Sequence, residues 1–163
     1  LIAEDGREVI LSVLGEGSFF GEMAVIDEEP RSAHVIAMED SSLLVLRRED
    51  FHARLRSSPD VAISLLKEIS RRLRRADEKI GSLVLLDVNG RVAHLLLRMA
   101  EDEGGDRITR KLTHHTIAQM IGSSRETVSR TMRNLVERGI IQVTRKDITL
   151  KDRRSLMLAA RRS

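Results

Sequence analysis

Residues 112–141, LTHHTIAQMIGSSRETVSRTMRNLVERGII, constrain the chain more than any other stretch. They read as two short helices joined by a tight turn. Thr113 stands where its hydroxyl can accept from an otherwise unpaired backbone N–H of a first helix. Ile117, Ala118, Met120 and Ile121 give that helix an apolar face. Gly122 interrupts the pattern, as a residue free to adopt positive φ does at a turn. Ser123 or Ser124 then caps a second helix, on which Val128, Met132, Leu135 and Val136 recur at helical spacing and face inward. Its outer face carries Arg125, Glu126, Ser129, Arg130 and Arg133.

That outer face suits the major groove of DNA. The second helix of such a pair reads bases with its N-terminal residues. Arginine offers two donors to a guanine edge, and glutamate accepts from the cytosine amino group. Ser124, Thr127 and the helix N-terminus can hold phosphates. Plain solvation of a charge-rich helix pair is the competing reading. SSRETVSR followed by LVERGII resembles the recognition helix, and the turn into the wing, of the CRP/FNR family of bacterial transcription regulators. The resemblance extends over nearly the whole chain. It implies base contacts from Arg125, Glu126 and Arg130, within a DNA surface that includes Ser124, Thr127, Ser129, Arg133 and the wing residue Lys146.

The totals narrow the class. At 163 residues the chain has room for one domain or two small ones, and its 41% hydrophobic content is ordinary for a globular protein. No apolar run approaches the roughly 20 residues needed to cross a bilayer, and the opening residues show no basic-then-apolar signal. Cysteine is absent, so disulfide and thiol chemistry are excluded within these residues. This favours the cytoplasm and no membrane partner. The net charge is only +3, but the basic excess is concentrated in residues 71–75 and from residue 125 onward, as a phosphate backbone requires. The first residue is Leu, and the opening residues read as the middle of a strand, so an N-terminal portion is expected to precede them.

Residues 1–50 are β-rich in pattern. Residues 1–3 and 8–14 are strand-like, with Asp5-Gly6 as a hairpin signal between them. Gly15-Glu16-Gly17 is another turn, and residues 33–38 and 42–46 are further strands. The pattern suggests a small barrel, roll or sandwich, though about 50 residues make a thin core.

Among these strands lies FFGEMAVIDEEPRSA, residues 19–33. Gly21-Glu22 begin a short turn with free backbone N–H groups, and Arg31-Ser32 return after Pro30. The combination suits a cyclic phosphate: Arg pairs with the anion, Ser and backbone N–H groups bond its oxygens, and Glu accepts from a ribose hydroxyl. A surface loop with an ordinary ion pair is the plainer alternative. The stretch resembles the phosphate-binding cassette of cyclic-nucleotide-binding domains at Phe20, Gly21, Glu22, Pro30, Arg31, Ser32 and Ala33. The resemblance implies that Glu22 bonds the ribose 2′-hydroxyl and that Arg31 and Ser32 bind the cyclic phosphate, with Gly21, Met23, Ala24 and Ala33 in the same site.

Residues 49–59 look like a short helix ended by Ser58-Pro59, with His52 on its surface. Asp60 is expected to cap a long helix from 61 to about 86. Leu66, Ile69, Leu73, Ala76, Ile80 and Leu83 form a heptad seam on it, suited to a parallel two-fold pair, while Ile63, Leu65, Val84 and Leu85 are expected to pack within the chain. The family has its dimer helix in this place. Where its cAMP-binding members carry Thr-Ser, this chain has Ala76 and Asp77, and Arg72 matches a position that supports the pocket Glu. The phosphate end of the site is matched and the base end departs. A cyclic nucleotide, cAMP first, is the expected regulatory ligand, with no other cofactor; cGMP, a cyclic dinucleotide, another small molecule or no effector stay open.

Asp87 caps a helix over 88–103, and residues 87–93 look like the family's hinge. Gly104-Gly105 end that helix, and 106–112 read as a strand. Residues 140–143 and 148–150 flank Arg145-Lys146-Asp147 as a two-stranded wing, and Asp152 caps a last helix bearing Leu156, Leu158 and Ala159. His114-His115 point different ways on a helix and make no metal pair. The expected fold is α+β: a partial cyclic-nucleotide-binding β-roll over 1–59, a dimerisation helix and hinge over 60–87, and a winged helix-turn-helix over 88–163. With no paired catalytic carboxylates or activated nucleophile in view, the chain reads as a homodimeric, sequence-specific transcription regulator and not an enzyme. Its expected partners are near-palindromic double-stranded DNA, a second copy and RNA polymerase.

Overall fold

The computed structural model describes residues 8–161. They fall into two compact units, one of residues 13–76 and one that joins residues 8–12 to 77–161. The strand read over 1–3 and the Asp5-Gly6 turn lie outside the described residues. Among the described residues no helix is long and apolar enough to cross a membrane.

The first unit contains α1 (Met23–Ile26), α2 (Arg48–Ser57) and the start of α3 (Pro59–Leu85). The strands expected over 8–14, 33–38 and 42–46 are a correction: none forms a ladder among the described residues, and Glu8 enters only a single bridge. A strand is stabilised by the neighbour it pairs with and the face it buries. Here the alternating side chains find no such face, and Leu44 and Val45 are fully exposed. A second correction concerns Asp60. The helix begins at Pro59, whose fixed φ and missing N–H suit the first helical position. Asp60 therefore lies inside the first turn, where its charge favours the helix dipole, and does not cap. No residue of α3 is buried. Leu66, Leu73, Ile80 and Leu83 are exposed along the seam, and Ile63, Val84 and Leu85 are exposed too, against the expectation that they pack within the chain.

The second unit is built on α4 (Val88–Asp102). Asp87 caps it by accepting from Gly90 N at 2.7 Å. Val92, Ala93, Leu96 and Ala100 form a fully buried stripe. Around it pack α5 (His114–Ile121), α6 (Arg125–Glu137) and α7 (Arg153–Ala159), whose Leu156 is also fully buried. The caps expected from sequence are made: Thr113 accepts from Thr116 N, Ser124 from Thr127 N and Asp152 from Ser155 N. Gly122 takes the left-handed conformation, φ +64°, between α5 and α6. On α6 the inward set is Val128, Thr131, Met132 and Leu135. Val136 is 43% exposed, a correction that follows from helix geometry, since the stripe of 128, 132 and 135 is completed by 131.

The expected wing hairpin forms, and a further strand joins it: β1 (Arg107–Ile108), β2 (Ile141–Val143) and β3 (Ile148–Leu150) make an antiparallel sheet in the order β1-β3-β2. β1 is shorter than the strand read over 106–112. The Glu103 carboxylate takes the next backbone donors, accepting from Thr109 N at 2.7 Å and Arg110 N at 3.3 Å, so the ladder stops there.

Asp147 closes the wing turn. It accepts from Thr144 Oγ1 at 2.8 Å and from Arg107 Nε on β1 at 2.8 Å. The Thr144 hydroxyl, then the Arg107 guanidinium, hold its carboxyl below the ordinary carboxylate range. A depressed native pKa contributes stability that is complete above the ordinary value of about 4 and is lost as pH falls from there through the lowered native value. Thermal unfolding followed from neutral to acid pH should therefore show a fall in Tm that is shallower in Asp147→Asn than in the unaltered chain.

Candidate functional site

In the first unit the cassette residues gather around the N-terminus of α1. Glu22 occupies the N-cap position of α1 but its side chain makes no capping bond. The carboxylate turns inward instead and the residue is 8% exposed. Arg72 Nη1 on α3 donates to Glu22 Oε1 at 3.0 Å, while Glu22 Oε2 is buried without a hydrogen-bond partner. A buried carboxylate oxygen left unpaired is costly and rare, so it marks a place built to meet a donor.

Arg72 is itself held on three sides. Its Nη2 donates to Phe19 O at 2.6 Å, its Nε to Glu68 Oε1 at 3.4 Å, and its guanidinium carbon lies 4.4 Å from the centroid of the Phe19 ring. Phe19 and Glu68 are site residues that the sequence reading missed. Glu68 was legible as the partner four positions before Arg72 on one helix face; Phe19 carried no signal beyond its place next to Phe20. Arg71, then Arg72, keeps the Glu68 carboxyl below the ordinary range against the opposing effect of desolvation.

Arg31 Nη1 donates to Gly21 O at 2.6 Å. Gly21 has φ +83°, and a Cβ there would lie 2.1 Å from Arg31 Nη1, so only glycine admits the guanidinium this close. Arg31 and Ser32 are exposed, and Ser32 Oγ lies 4.0 Å from Met23 Sδ. Ala24 O accepts from Arg48 Nη2 at 3.0 Å, and Arg48 Nη1 also reaches Glu28 Oε1 at 3.4 Å, so α2 braces the far end of α1. Gly21, Glu22, Met23, Arg31, Ser32 and Arg72 are thus brought together. Ala33 is half-buried in the return of the loop. Ala76 and Asp77 follow Arg72 about one turn later on α3, both exposed.

In the second unit, α6 presents Arg125, Glu126, Arg130 and Arg133 to solvent, with Ser129 half-buried at the edge of that face. Ser124 Oγ and Thr127 Oγ1 lie 3.0 Å apart at the start of the helix. The Glu126 backbone N–H, then the Ser124 hydroxyl, hold the Glu126 carboxyl below the ordinary range, so at neutral pH it is an ionised acceptor. Lys146 is exposed in the wing turn.

The glycine-bearing cassette in one unit and the winged helix-turn-helix in the other are the two parts that comparisons with known proteins match. A model of the cyclic nucleotide-binding domain matches residues 1–58, and one of the Crp-like helix-turn-helix domain matches residues 90–159. The CRP-like cAMP-activated global transcriptional regulator of Mycobacterium tuberculosis is 34% identical, over 98% of this chain and 73% of that protein. The cyclic AMP receptor protein of Thermus thermophilus is 41% identical, over 85% of this chain and 63% of that protein. The crystal structure of a CRP/FNR-family transcriptional regulator, also from Thermus thermophilus, superimposes with a TM-score of 0.76 at 27% identity, over 98% of this chain and 80% of that one. The chain belongs to the CRP/FNR family of transcription regulators. It is accordingly a regulator and not an enzyme.

The buried pair at the cassette gives a direct test. Arg72→Met should lower stability by about 1–3 kcal/mol, because it strands the Glu22 carboxylate. The double variant Glu22→Gln/Arg72→Met should recover some of that loss in denaturant unfolding of the full chain.

Proposed function

We propose that this chain is a homodimeric, cytoplasmic transcription regulator whose sequence-specific DNA binding is gated by a cyclic nucleotide, cAMP in the first instance. The observation that carries the reading is Glu22: a buried carboxylate with one oxygen fixed by Arg72 and the other without a partner, beside the Gly21–Arg31 contact. That oxygen suits a ribose hydroxyl. Arg31 and Ser32, exposed at the same loop, suit a cyclic phosphate, with the backbone of Gly21, Met23, Ala24 and Ala33 around it. The names of the relatives, which are cAMP-activated or cyclic AMP receptors, support the choice of nucleotide.

Arg72, Ala76 and Asp77 would contribute the α3 side of the site. A ligand touching cassette and helix together shifts a population only as far as it contacts the two states differently. The seam of Leu66, Ile69, Leu73, Ala76, Ile80 and Leu83, exposed except for the half-buried Ile69, is the proposed dimer contact. The domain division follows: an effector domain over residues 1–59, a dimer helix and hinge over 60–87, and a DNA-binding domain over 88–163. In the dimer, Arg125, Glu126 and Arg130 would read a near-palindrome, and Ser124, Thr127, Ser129, Arg133 and Lys146 would hold the backbone. RNA polymerase is the expected further partner. A second reading, a regulator that answers to another ligand or to none, is favoured by Ala76, whose methyl cannot hydrogen-bond a base, and by the negative charge of Asp77.

Calorimetric titration of the full chain with cAMP, cGMP and a cyclic dinucleotide decides between them. Saturable binding abolished by Arg31→Ala is expected, with cAMP tightest. Failure of all three to bind rejects cyclic-nucleotide gating and leaves the second reading. For DNA, Arg125→Ala should relax base preference by about 1–3 kcal/mol at one position. Lys146→Ala should instead weaken binding to all duplexes alike and reduce the salt slope by about one. Equal losses on every duplex for Arg125→Ala would remove its base-reading role.

A further inference from the structure

Thr131 is a polar residue in the buried stripe of α6. Val128, Met132 and Leu135 share that stripe, and Thr131 is 5% exposed. A buried hydroxyl is costly unless paired, so the placement of the helix is tied to wherever its partner stands. The partner is Asn89, in the first turn of α4: Thr131 Oγ1 donates to Asn89 Oδ1 at 2.9 Å. Asn89 Nδ2 is 3.5 Å from Asp87 Oδ2, and the other oxygen of that carboxylate caps α4 through Gly90 N. The cap of α4 and the middle of α6 are thereby joined by one run of polar contacts.

Apolar packing alone tolerates small rotations of a helix about its axis. An O–H···O bond permits a narrower range of length and angle. Arg130 directly precedes Thr131, and Arg125 and Glu126 lie in the first turn of the same helix. A bidentate arginine contact with a base needs both of its bonds in line, so a small roll of α6 is enough to spoil it. We infer that the Asn89–Thr131 hydrogen bond sets the roll of α6, and through it the base discrimination of Arg125, Glu126 and Arg130. Asn89 and Thr131 act as positioning residues that touch no base. The inference rests on the reading that the three outer residues recognise bases.

The test uses the full chain and two duplexes: the one that the unaltered chain enriches from a randomised pool, and a scrambled duplex of equal composition. The ratio of the two affinities is the discrimination. Thr131→Val keeps the branched shape and removes the hydroxyl; Thr131→Ser keeps the hydroxyl and removes a buried methyl. Thr131→Val is expected to lower the ratio about tenfold, the loss of roughly one well-made base contact, with scrambled-duplex affinity unchanged. Thr131→Ser is expected to hold the ratio. Asn89→Ala should lower it as Thr131→Val does, and the double variant no further. Discrimination that follows the unfolding midpoint across these variants, and not the hydroxyl, overturns the proposal. Arg125→Ala separates the two levels. If it lowers the ratio while Thr131→Val and Asn89→Ala do not, the positioning role alone fails; if it too leaves the ratio unchanged, base reading fails and the positioning role with it.

Discussion

The buried stripe of α4 is the contact on which the DNA-binding unit rests. Val92, Ala93, Leu96 and Ala100 are shielded from water by α5, α6 and α7, each of which packs directly on α4. Short helices of seven to thirteen residues are marginal alone and owe their order to such packing. The outward faces are consequently released from structural duty. Arg125, Glu126, Arg130 and Arg133 can all point into solvent because Val128, Met132 and Leu135 already fix α6 from the other side. The proposed recognition residues are mounted on a helix seated by hydrocarbon, with its roll left to the Asn89–Thr131 hydrogen bond.

The cassette follows a different logic. It has no closed core beneath it among the described residues, and it is held by directional polar contacts. Arg72 joins Glu22, Glu68 and Phe19, Arg31 joins Gly21, and Arg48 joins Ala24 and Glu28. Charge-assisted bonds of this kind tolerate a ligand exchanging places with a protein partner, which a packed apolar core does not. The proposed effector site and the proposed reading head thus sit in the same chain with different sources of order.

What could be read from sequence divides along the same line. Caps at Asp87, Thr113, Ser124 and Asp152 were legible because a cap is a contact between residues three apart, and Gly122 because a turn of that kind needs positive φ. The cassette residues Gly21, Glu22, Arg31 and Ser32 were legible from their local order, and Arg72 from the resemblance. Contacts decided at a distance were not. The strands read over 8–14, 33–38 and 42–46 look convincing by alternation, yet pairing depends on a neighbour that alternation does not specify. Nothing local to Thr131 marks it as buried and paired, because Asn89, which accepts from its hydroxyl, stands 42 positions earlier. The end of β1 is set by Glu103, the residue that follows α4 as its C-cap. Asp60 was misplaced for a local reason: Pro59 already starts the helix.

α3 is 27 residues long and buries none of them. At about 1.5 Å per residue it extends roughly 40 Å, and intrinsic propensity alone does not keep such a rod wound in water. Where the proposed seam of Leu66, Leu73, Ile80 and Leu83 meets a second copy, that cover protects the amides of α3 from solvent exchange. Deuterium uptake along α3 becomes a meter of association, slowing as protomer concentration rises, while the amides of α4 keep the slow exchange set by their own core. The same chain thus holds one helix whose order belongs to the fold and, on the proposed dimer reading, another whose order belongs to the assembly.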